Sequence, residues 1–153
     1  MALDGMLMKG KVLKFLRENP DYSIARLESL YASAKAVHGV RVADGVLVCE
    51  STQQHIVRAE DVVWVYIQQQ DIRVNFIPMG KPSCVHIWLQ QGTCITVGTM
   101  TMKRSVELLK HLIPLLPCAY FGHSQELVEL WNAAKPGRAE TFRQLAALQR
   151  LKE

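Results

Sequence analysis

Two cysteines and a histidine lie close together in the second half of the chain, at Cys84, His86 and Cys94. Thiolate sulfur and imidazole nitrogen are preferred protein ligands of zinc, and His55 would complete a set of four. Cys84 and His86 share one face of an extended strand, but Cys94 follows a turn at Gln91-Gly92 that leaves its register open. Since buried cysteine more often acts as a small hydrophobe, we expect no metal and no cofactor.

Two other pairs have residue types used in catalysis. Cys118 and His123 would serve as nucleophile and base, but no carboxylate is placed to orient the histidine. Glu60 and Asp61 are adjacent on an extended chain, so their side chains point apart and form a poor acid–base pair. The sequence also has no glycine-rich phosphate loop. We therefore expect a protein that is not an enzyme. A hydrolase or metal enzyme that uses Cys84, His86 or Cys118 is the least favoured alternative.

A dense basic cluster lies near the N-terminus. It comprises Lys9, Lys11, Lys14 and Arg17. A solvated helix face is the ordinary explanation of such a cluster, and contact with an anionic membrane or an acidic partner is the functional one. The net charge of +4 permits either explanation. Because aromatic residues are not interleaved with a basic strip, we expect no nucleic-acid partner.

The spacing of apolar residues predicts the elements that position these side chains. Helical spacing predicts helices over about residues 6–18 and 23–38, and alternation then predicts seven strands. The strands are expected over about 40–43, 46–49, 54–58, 62–69, 72–77, 84–90 and 93–97. Asp44-Gly45 between the first two predicts a type I′ hairpin. A helix follows over about 102–115, and two more, after Ser124 and over 138–152, end the chain. The apolar stripe of the helix over 102–115 comprises Val106, Leu109, Leu112 and Ile113, and we expect Leu109 to be fully buried.

Strands grouped between helices favour an α+β fold. Seven short strands bury their apolar positions in an antiparallel sandwich or partly open barrel, closed by the helix over 102–115. A chain of 153 residues suits a single domain. We expect an N-terminal helical extension (1–39), the strands with the closing helix (40–116) and C-terminal helices (117–153). A cytoplasmic location is expected, because no signal peptide and no membrane-length apolar run is found.

Particular residues add a family resemblance to this pattern. Asp61-Val62-Val63-Trp64-Val65-Tyr66, the Gln91-Gly92 turn and Glu107-Leu108-Leu109 occupy a central strand, a turn and the closing helix. With the strand order, they resemble a pleckstrin-homology-like domain over residues 56–116. Asn75-Phe76-Ile77-Pro78 and Tyr120-Phe121-Gly122 resemble a bacterial family without assigned function. Phosphoinositide-binding members of the first group carry a basic loop where this chain has Ala43-Asp44-Gly45, so inositol-phosphate binding of that kind is not expected.

A complete scaffold without a convergent catalytic set favours a non-enzymatic binding or adaptor module. We expect it to hold a protein or peptide along an exposed strand edge or against the closing helix. The alternative is peripheral attachment to an anionic membrane surface through the N-terminal helix. Its contact residues would be Lys9, Lys11, Lys14 and Arg17, together with the apolar Met8, Val12, Phe15 and Leu16.

Overall fold

The computed structural model describes residues 6–50, 54–69, 73–78, 80–133 and 136–152. Helices and strands both contribute, so the predicted α+β class is confirmed. The chain divides into two compact units, unit 1 over residues 1–59 and unit 2 over residues 60–153. The expectation of a single domain with three segments stays a prediction. No helix in the described part of the chain has the length and apolar character needed to span a membrane.

Unit 1 packs two helices with a three-stranded antiparallel sheet. Its elements are α1 (Met6–Glu18), α2 (Ile24–Ser33), β1 (Val40–Ala43), β2 (Val46–Cys49) and β3 (His55–Arg58), with the strands in the order β1-β2-β3. The core joins the apolar faces of both helices to β2, through Val12, Phe15, Leu27, Leu30, Val46 and Val48. Burial of these side chains stabilises helices that would be marginal alone.

The turn between β1 and β2 is the predicted type I′ hairpin. Asp44 and Gly45 both have positive φ, at 52° and 74°, which this turn type requires. The Asp44 carboxylate accepts hydrogen bonds from Nε and Nη2 of Arg26, at 2.6 and 2.9 Å. The Tyr22 hydroxyl donates to the Asp44 carbonyl at 2.7 Å. Side chains from α2 and from the segment before it therefore fix this hairpin in unit 1.

Unit 2 is built on a four-stranded sheet in the order β8-β7-β4-β9. Its strands are β4 (Val62–Gln69), β5 (Arg73–Val74), β6 (Ile77–Pro78), β7 (Ser83–Leu89), β8 (Cys94–Gly98) and β9 (Tyr120–Phe121). Its helices are α3 (Met102–Leu112), α4 (Gln125–Ala133) and α5 (Arg138–Leu151), with a 3-10 turn at Ile113–Leu115. A further 3-10 turn, Ala59–Asp61, includes the last residue of unit 1 and the first two of unit 2. β5 and β6 form a small hairpin of their own, and β9 runs parallel to β4.

The two faces of this sheet are covered by different helices. On β7, Val85, Ile87 and Leu89 are buried and alternate with half-buried residues, as period 2 requires. α3 packs against β4 and β7 on the face that carries Val85 and Ile87. On the other face, Trp64 packs with Trp131 of α4 and with a phenylalanine of α5. Trp64 and Trp131 are thus the core anchors that their size predicts.

Three features of the predicted sandwich are wrong. The described residues contain nine strands in three open sheets, and none of these sheets closes into a barrel. The strand expected over 72–77 is a hairpin, because Asn75 and Phe76 have positive φ and reverse the chain. Leu109 is half-buried, whereas Ser105, Leu108 and Leu112 are fully buried. The buried stripe of α3 runs through a serine, which the apolar pattern does not reveal.

Candidate binding surface on the four-stranded sheet

β8 forms an open edge of the four-stranded sheet, and among the described strands only β7 pairs with it. Leu89 N donates to Thr93 O at 2.9 Å, and Thr99 N donates to Ser83 O at 3.2 Å. Hydrogen-bonded and non-hydrogen-bonded pairs alternate along an antiparallel ladder, so Ile95 and Val97 also bond to β7. The backbone groups of the alternate residues, Cys94, Thr96 and Gly98, therefore point out of the sheet.

Within the part of the chain that the structure describes, this edge lacks the usual protection against strand pairing. Residues 93–101 include no charged residue and no proline, and the register of β8 with β7 has no bulge. Thr96 and Gly98 are exposed, and Cys94 is half-buried. Edge strands in soluble proteins are commonly protected by lysine, proline, a bulge or a covering segment. β8 is therefore a ready template for a further strand.

A cluster of neutral polar side chains lies on the sheet face beside this edge. His86 stands opposite Thr96 in the β7–β8 register, and its Nδ1 is 3.1 Å from Thr96 Oγ1. The same nitrogen is 3.4 Å from Cys94 Sγ, and Nε2 is 3.6 Å from Cys84 Sγ. The structure thus brings together the three residues whose convergence the sequence left open.

The geometry of this cluster does not match a metal site. The two sulfurs approach opposite nitrogens of one imidazole, so the ring separates them, whereas a tetrahedral ion needs its donors around one point. No group of three or more histidine, cysteine, aspartate or glutamate residues that could hold a metal ion occurs in the part of the chain that the structure describes. His55 belongs to unit 1, where burial and the charge of Lys11 lower its pKa.

Burial favours the uncharged forms of all three residues in the cluster. It lowers the pKa of His86, and electrostatic interaction with the neighbouring His123 adds to this effect. Burial also raises the pKa of the Cys84 and Cys94 thiols. A neutral imidazole and neutral thiols are weak nucleophiles and poor anion ligands, but they can donate and accept hydrogen bonds. The cluster therefore suits recognition of neutral polar groups.

An aromatic wall borders the cluster on the β4 side. The Tyr66 ring lies between His86 and His123, with centroid distances of 5.3 and 4.5 Å. Trp88 Nε1 donates to the Tyr66 hydroxyl at 3.1 Å, and Trp64 Nε1 donates to the Gly122 carbonyl at 2.7 Å. No pattern in the sequence indicates this contact of His123 with Tyr66. Alternation along β4 and β7 indicates that their even-numbered residues form an aromatic face. It does not indicate that His123 approaches this face.

The catalytic pairs considered from the sequence are not assembled. His123 stacks near Trp64 and Tyr66, and no hydrogen bond joins it to Cys118 among the described residues. Glu60 is exposed, and its carbonyl accepts from Arg143 at 3.3 Å. The Asp61 carboxylate accepts from the side chain of Gln90 at 2.7 Å. These contacts give Glu60 and Asp61 structural partners on neighbouring elements.

The basic cluster of α1 is exposed, whereas its apolar neighbours are largely covered. Lys9, Lys11, Lys14 and Arg17 are all exposed. Val12 and Phe15 are buried in the core of unit 1, and Leu16 packs against it half-buried. The side chain of Met8 lies outside the described residues. The helix thus packs on its own unit, and the role of its four cations as contact residues stays a prediction.

The fold and this surface define an α+β protein with an open strand edge beside a neutral histidine–cysteine cluster. The chain belongs to the family described as domain of unknown function DUF6709, whose family model matches residues 7–131. The expected membership of a family without assigned function is thereby confirmed. No curated protein and no solved structure matches the chain. The family description names no activity.

Proposed function

We propose that the protein is a non-enzymatic binding module that takes an extended peptide segment of a partner protein as an added strand on β8. The observation that carries this proposal is the outward backbone of Cys94, Thr96 and Gly98 on an unprotected edge. Strand addition to an open sheet edge is a common mode of peptide recognition. The same geometry makes no demand for a nucleophile, a base or a cofactor.

The backbone supplies affinity and the adjacent face supplies selectivity. Three outward residues offer about six hydrogen bonds, each with a net value of about 0.5–1.5 kcal/mol before the cost of ordering the peptide. Alternate side chains of the added strand would lie on the face of Thr96, His86 and Cys94. Because these groups are neutral, a peptide with small hydroxyl or amide side chains at alternate positions fits this face best.

The pleckstrin-homology-like assignment and the cytoplasmic location belong to the same proposal. The first is supported by three antiparallel strands, β8, β7 and β4, with an amphipathic helix, α3, on one face, an arrangement that many other folds share. The second is supported by four free cysteines, since thiols persist in reducing compartments.

Thr96→Pro tests the edge directly. Proline removes the outward N–H of Thr96 and places its ring where an added strand must approach, while the ladder bonds of Ile95 and Val97 to β7 remain. Thr96→Val is the matched control, because it changes the side chain and keeps the backbone donor. The probe is a displayed library of peptides of about ten residues, selected on the wild-type protein.

We expect the selected peptides to bind the wild-type and Thr96→Val proteins and to lose binding to Thr96→Pro. Bound peptide should slow hydrogen exchange of the amides of Cys94, Thr96 and Gly98 and leave those of Ile95 and Val97 unchanged. A library that yields no binder overturns the proposal. Peptides that bind Thr96→Pro equally well, in a variant with an unchanged denaturation midpoint, overturn it too.

The alternative, attachment to an anionic membrane through α1, has one supporting observation, the exposure of its four basic side chains. Val12 and Phe15 are already used in the core of unit 1, so this mode would depend on charge. Each cation near an anionic surface contributes about 1 kcal/mol at physiological ionic strength.

A further inference from the structure

Large apolar side chains are exposed at one end of the four-stranded sheet. Phe76 and Ile77 are 92% and 62% exposed, and Met100 and Met102 are 66% and 41% exposed. Single exposed apolar residues are ordinary on protein surfaces. Four of them on two loops at the same end of a sheet need a more particular explanation.

Backbone pairing places these four residues at the same end. The β5–β6 hairpin, with Phe76 in its turn, connects Gln69 at the end of β4 to Ser83 at the start of β7, and these two residues pair. Met100 N donates to Ser83 O at 3.1 Å, and Ser83 N donates to Met100 O at 3.3 Å. Met102 then begins α3. We call Phe76, Ile77, Met100 and Met102 the apolar tips.

The chain around the apolar tips carries positive charge only. Between Asp71 and Glu107 the sequence contains no aspartate or glutamate. Its cations in this interval are Arg73, Lys81, Lys103 and Arg104. Lys81, Lys103 and Arg104 are exposed. An acidic surface would meet no charge repulsion from this segment.

Two of the apolar tips have an unusual backbone conformation. Phe76 has φ of 66° and Met100 has φ of 69°, in the left-handed region that side chains with a Cβ seldom adopt. Glycine or asparagine would fit these positions with less strain. Strained residues of this kind are concentrated at functional sites, and here both are exposed hydrophobes.

We propose that this end of the sheet docks on an anionic lipid surface. The apolar tips enter the boundary between headgroups and acyl chains, and Lys81, Lys103 and Arg104 lie at the level of the lipid phosphates. Amphipathic elements with lysine, arginine, aromatic and aliphatic residues bind membranes in this way. Separate tips on two loops form no groove for a partner chain, whereas a fluid lipid surface accommodates each tip individually. This surface is distinct from the α1 cluster and from the outward backbone of β8.

Vesicle co-sedimentation of the full chain tests the proposal. The probes are phosphatidylcholine vesicles with and without about 30% phosphatidylserine. We expect binding only to the anionic vesicles and weaker binding when the salt is raised from about 0.1 M to about 0.5 M, where screening is stronger. Phe76→Ser with Ile77→Ser should lower the partition coefficient at least about tenfold, because two apolar side chains that enter the lipid are removed.

Matched variants separate this surface from its alternatives. Leu148→Ser with Leu151→Ser removes two exposed apolar side chains of α5 and should leave binding unchanged. Lys103→Gln with Arg104→Gln should weaken binding about fivefold per charge, whereas Lys9→Gln with Lys14→Gln should not weaken it. Thr96→Pro should also bind vesicles normally, so failure of this proposal and failure of strand addition are distinguishable.

A depth measurement gives an independent readout. Phe76→Trp places a fluorophore at the hairpin turn, and brominated lipids should quench its emission in excess of the quenching seen for the wild-type protein.

No binding to anionic vesicles overturns the proposal. So does binding that survives Phe76→Ser with Ile77→Ser, or binding that Lys9→Gln with Lys14→Gln abolishes. Capture by immobilised polyglutamate that excludes the vesicles overturns it in favour of an acidic protein partner.

Discussion

Replacing Ser105 with alanine should destabilise the protein although it removes a single oxygen atom. Ser105 of α3, Ser83 of β7 and Thr99 after β8 are all buried, and their hydroxyls form one chain of hydrogen bonds. Thr99 Oγ1 donates to the Ser83 carbonyl at 3.1 Å. Thr99 must therefore accept from Ser105, and Ser105 must accept from Ser83 Oγ, at 2.6 Å.

The direction of these hydrogen bonds determines how much stability Ser105→Ala removes. Ser105→Ala leaves the Ser83 hydroxyl as a buried donor without an acceptor, which costs about 1–3 kcal/mol. Adding Ser83→Ala removes that orphan donor and should restore about 1 kcal/mol, so the double variant is more stable than Ser105→Ala alone. Ser33→Ala on α2 is the control, since Ser33 is exposed, and its effect should stay within about 0.5 kcal/mol.

Urea denaturation followed by far-ultraviolet circular dichroism measures five proteins: the wild type, Ser105→Ala, Ser83→Ala, the double variant and Ser33→Ala. An additive double variant, with both single losses summed, would refute the hydrogen-bond chain as drawn. A loss for Ser105→Ala no larger than that for Ser33→Ala would show that the buried hydroxyl does not hold α3 on the sheet.

Two further predictions concern the core of unit 2 and its histidine cluster. Leu108→Ala should cost about 2–5 kcal/mol because Leu108 is fully buried, and Leu109→Ala should cost about half as much because Leu109 is half-buried; equal losses in urea denaturation would contradict the assigned stripe of α3. Burial lowers the pKa of His86 in the folded protein, so its protonation favours the unfolded chain. Its contribution to stability should therefore be constant above the unfolded pKa of about 6.5 and should fall as the pH drops below that value. The other titratable groups beside it are Cys84, Cys94, Tyr66 and His123. His86→Gln should flatten this part of the stability–pH profile, and an unaltered profile would assign the pH dependence to another group.

The sequence predicts elements better than their partners, and α3 shows why. Apolar spacing located the helix and its cap, Thr101, whose Oγ1 accepts from Arg104 N at 3.2 Å. The same spacing predicts the wrong buried stripe for α3, because Ser105 lies on the buried face and hydropathy alone assigns serine to solvent. A helix turns about 100° per residue, so a stripe displaced by one residue places Leu109 at the margin of the buried face.

In the candidate site too, local patterns predict the face on which a side chain lies, whereas its neighbours depend on long-range contacts. Period 2 correctly placed Cys84 and His86 on one face of β7. The approach of Cys94 depends on the turn after β7, which puts Cys94 opposite Trp88 and Thr96 opposite His86. A turn one residue longer would shift this register and move the cysteine away from the imidazole. His123 reaches Tyr66 from the segment after β9, a contact that no local pattern encodes.

The buried hydroxyl chain also links the two proposed surfaces. Thr99 stands between Gly98, the last outward residue of β8, and Met100, one of the apolar tips. Backbone N–H groups of Thr99 and Met100 both donate to Ser83 O, and the Thr99 hydroxyl donates to the same oxygen. Because three donors bond to the Ser83 carbonyl, the β8 edge ends at Gly98 and the exposed loop begins at Met100. Ser83 would therefore fix the distance between a peptide bound on β8 and a lipid surface at the end of the sheet. Because Ser105 bonds to Ser83 and Thr99, Ser105→Ala should increase the mobility of both sites together.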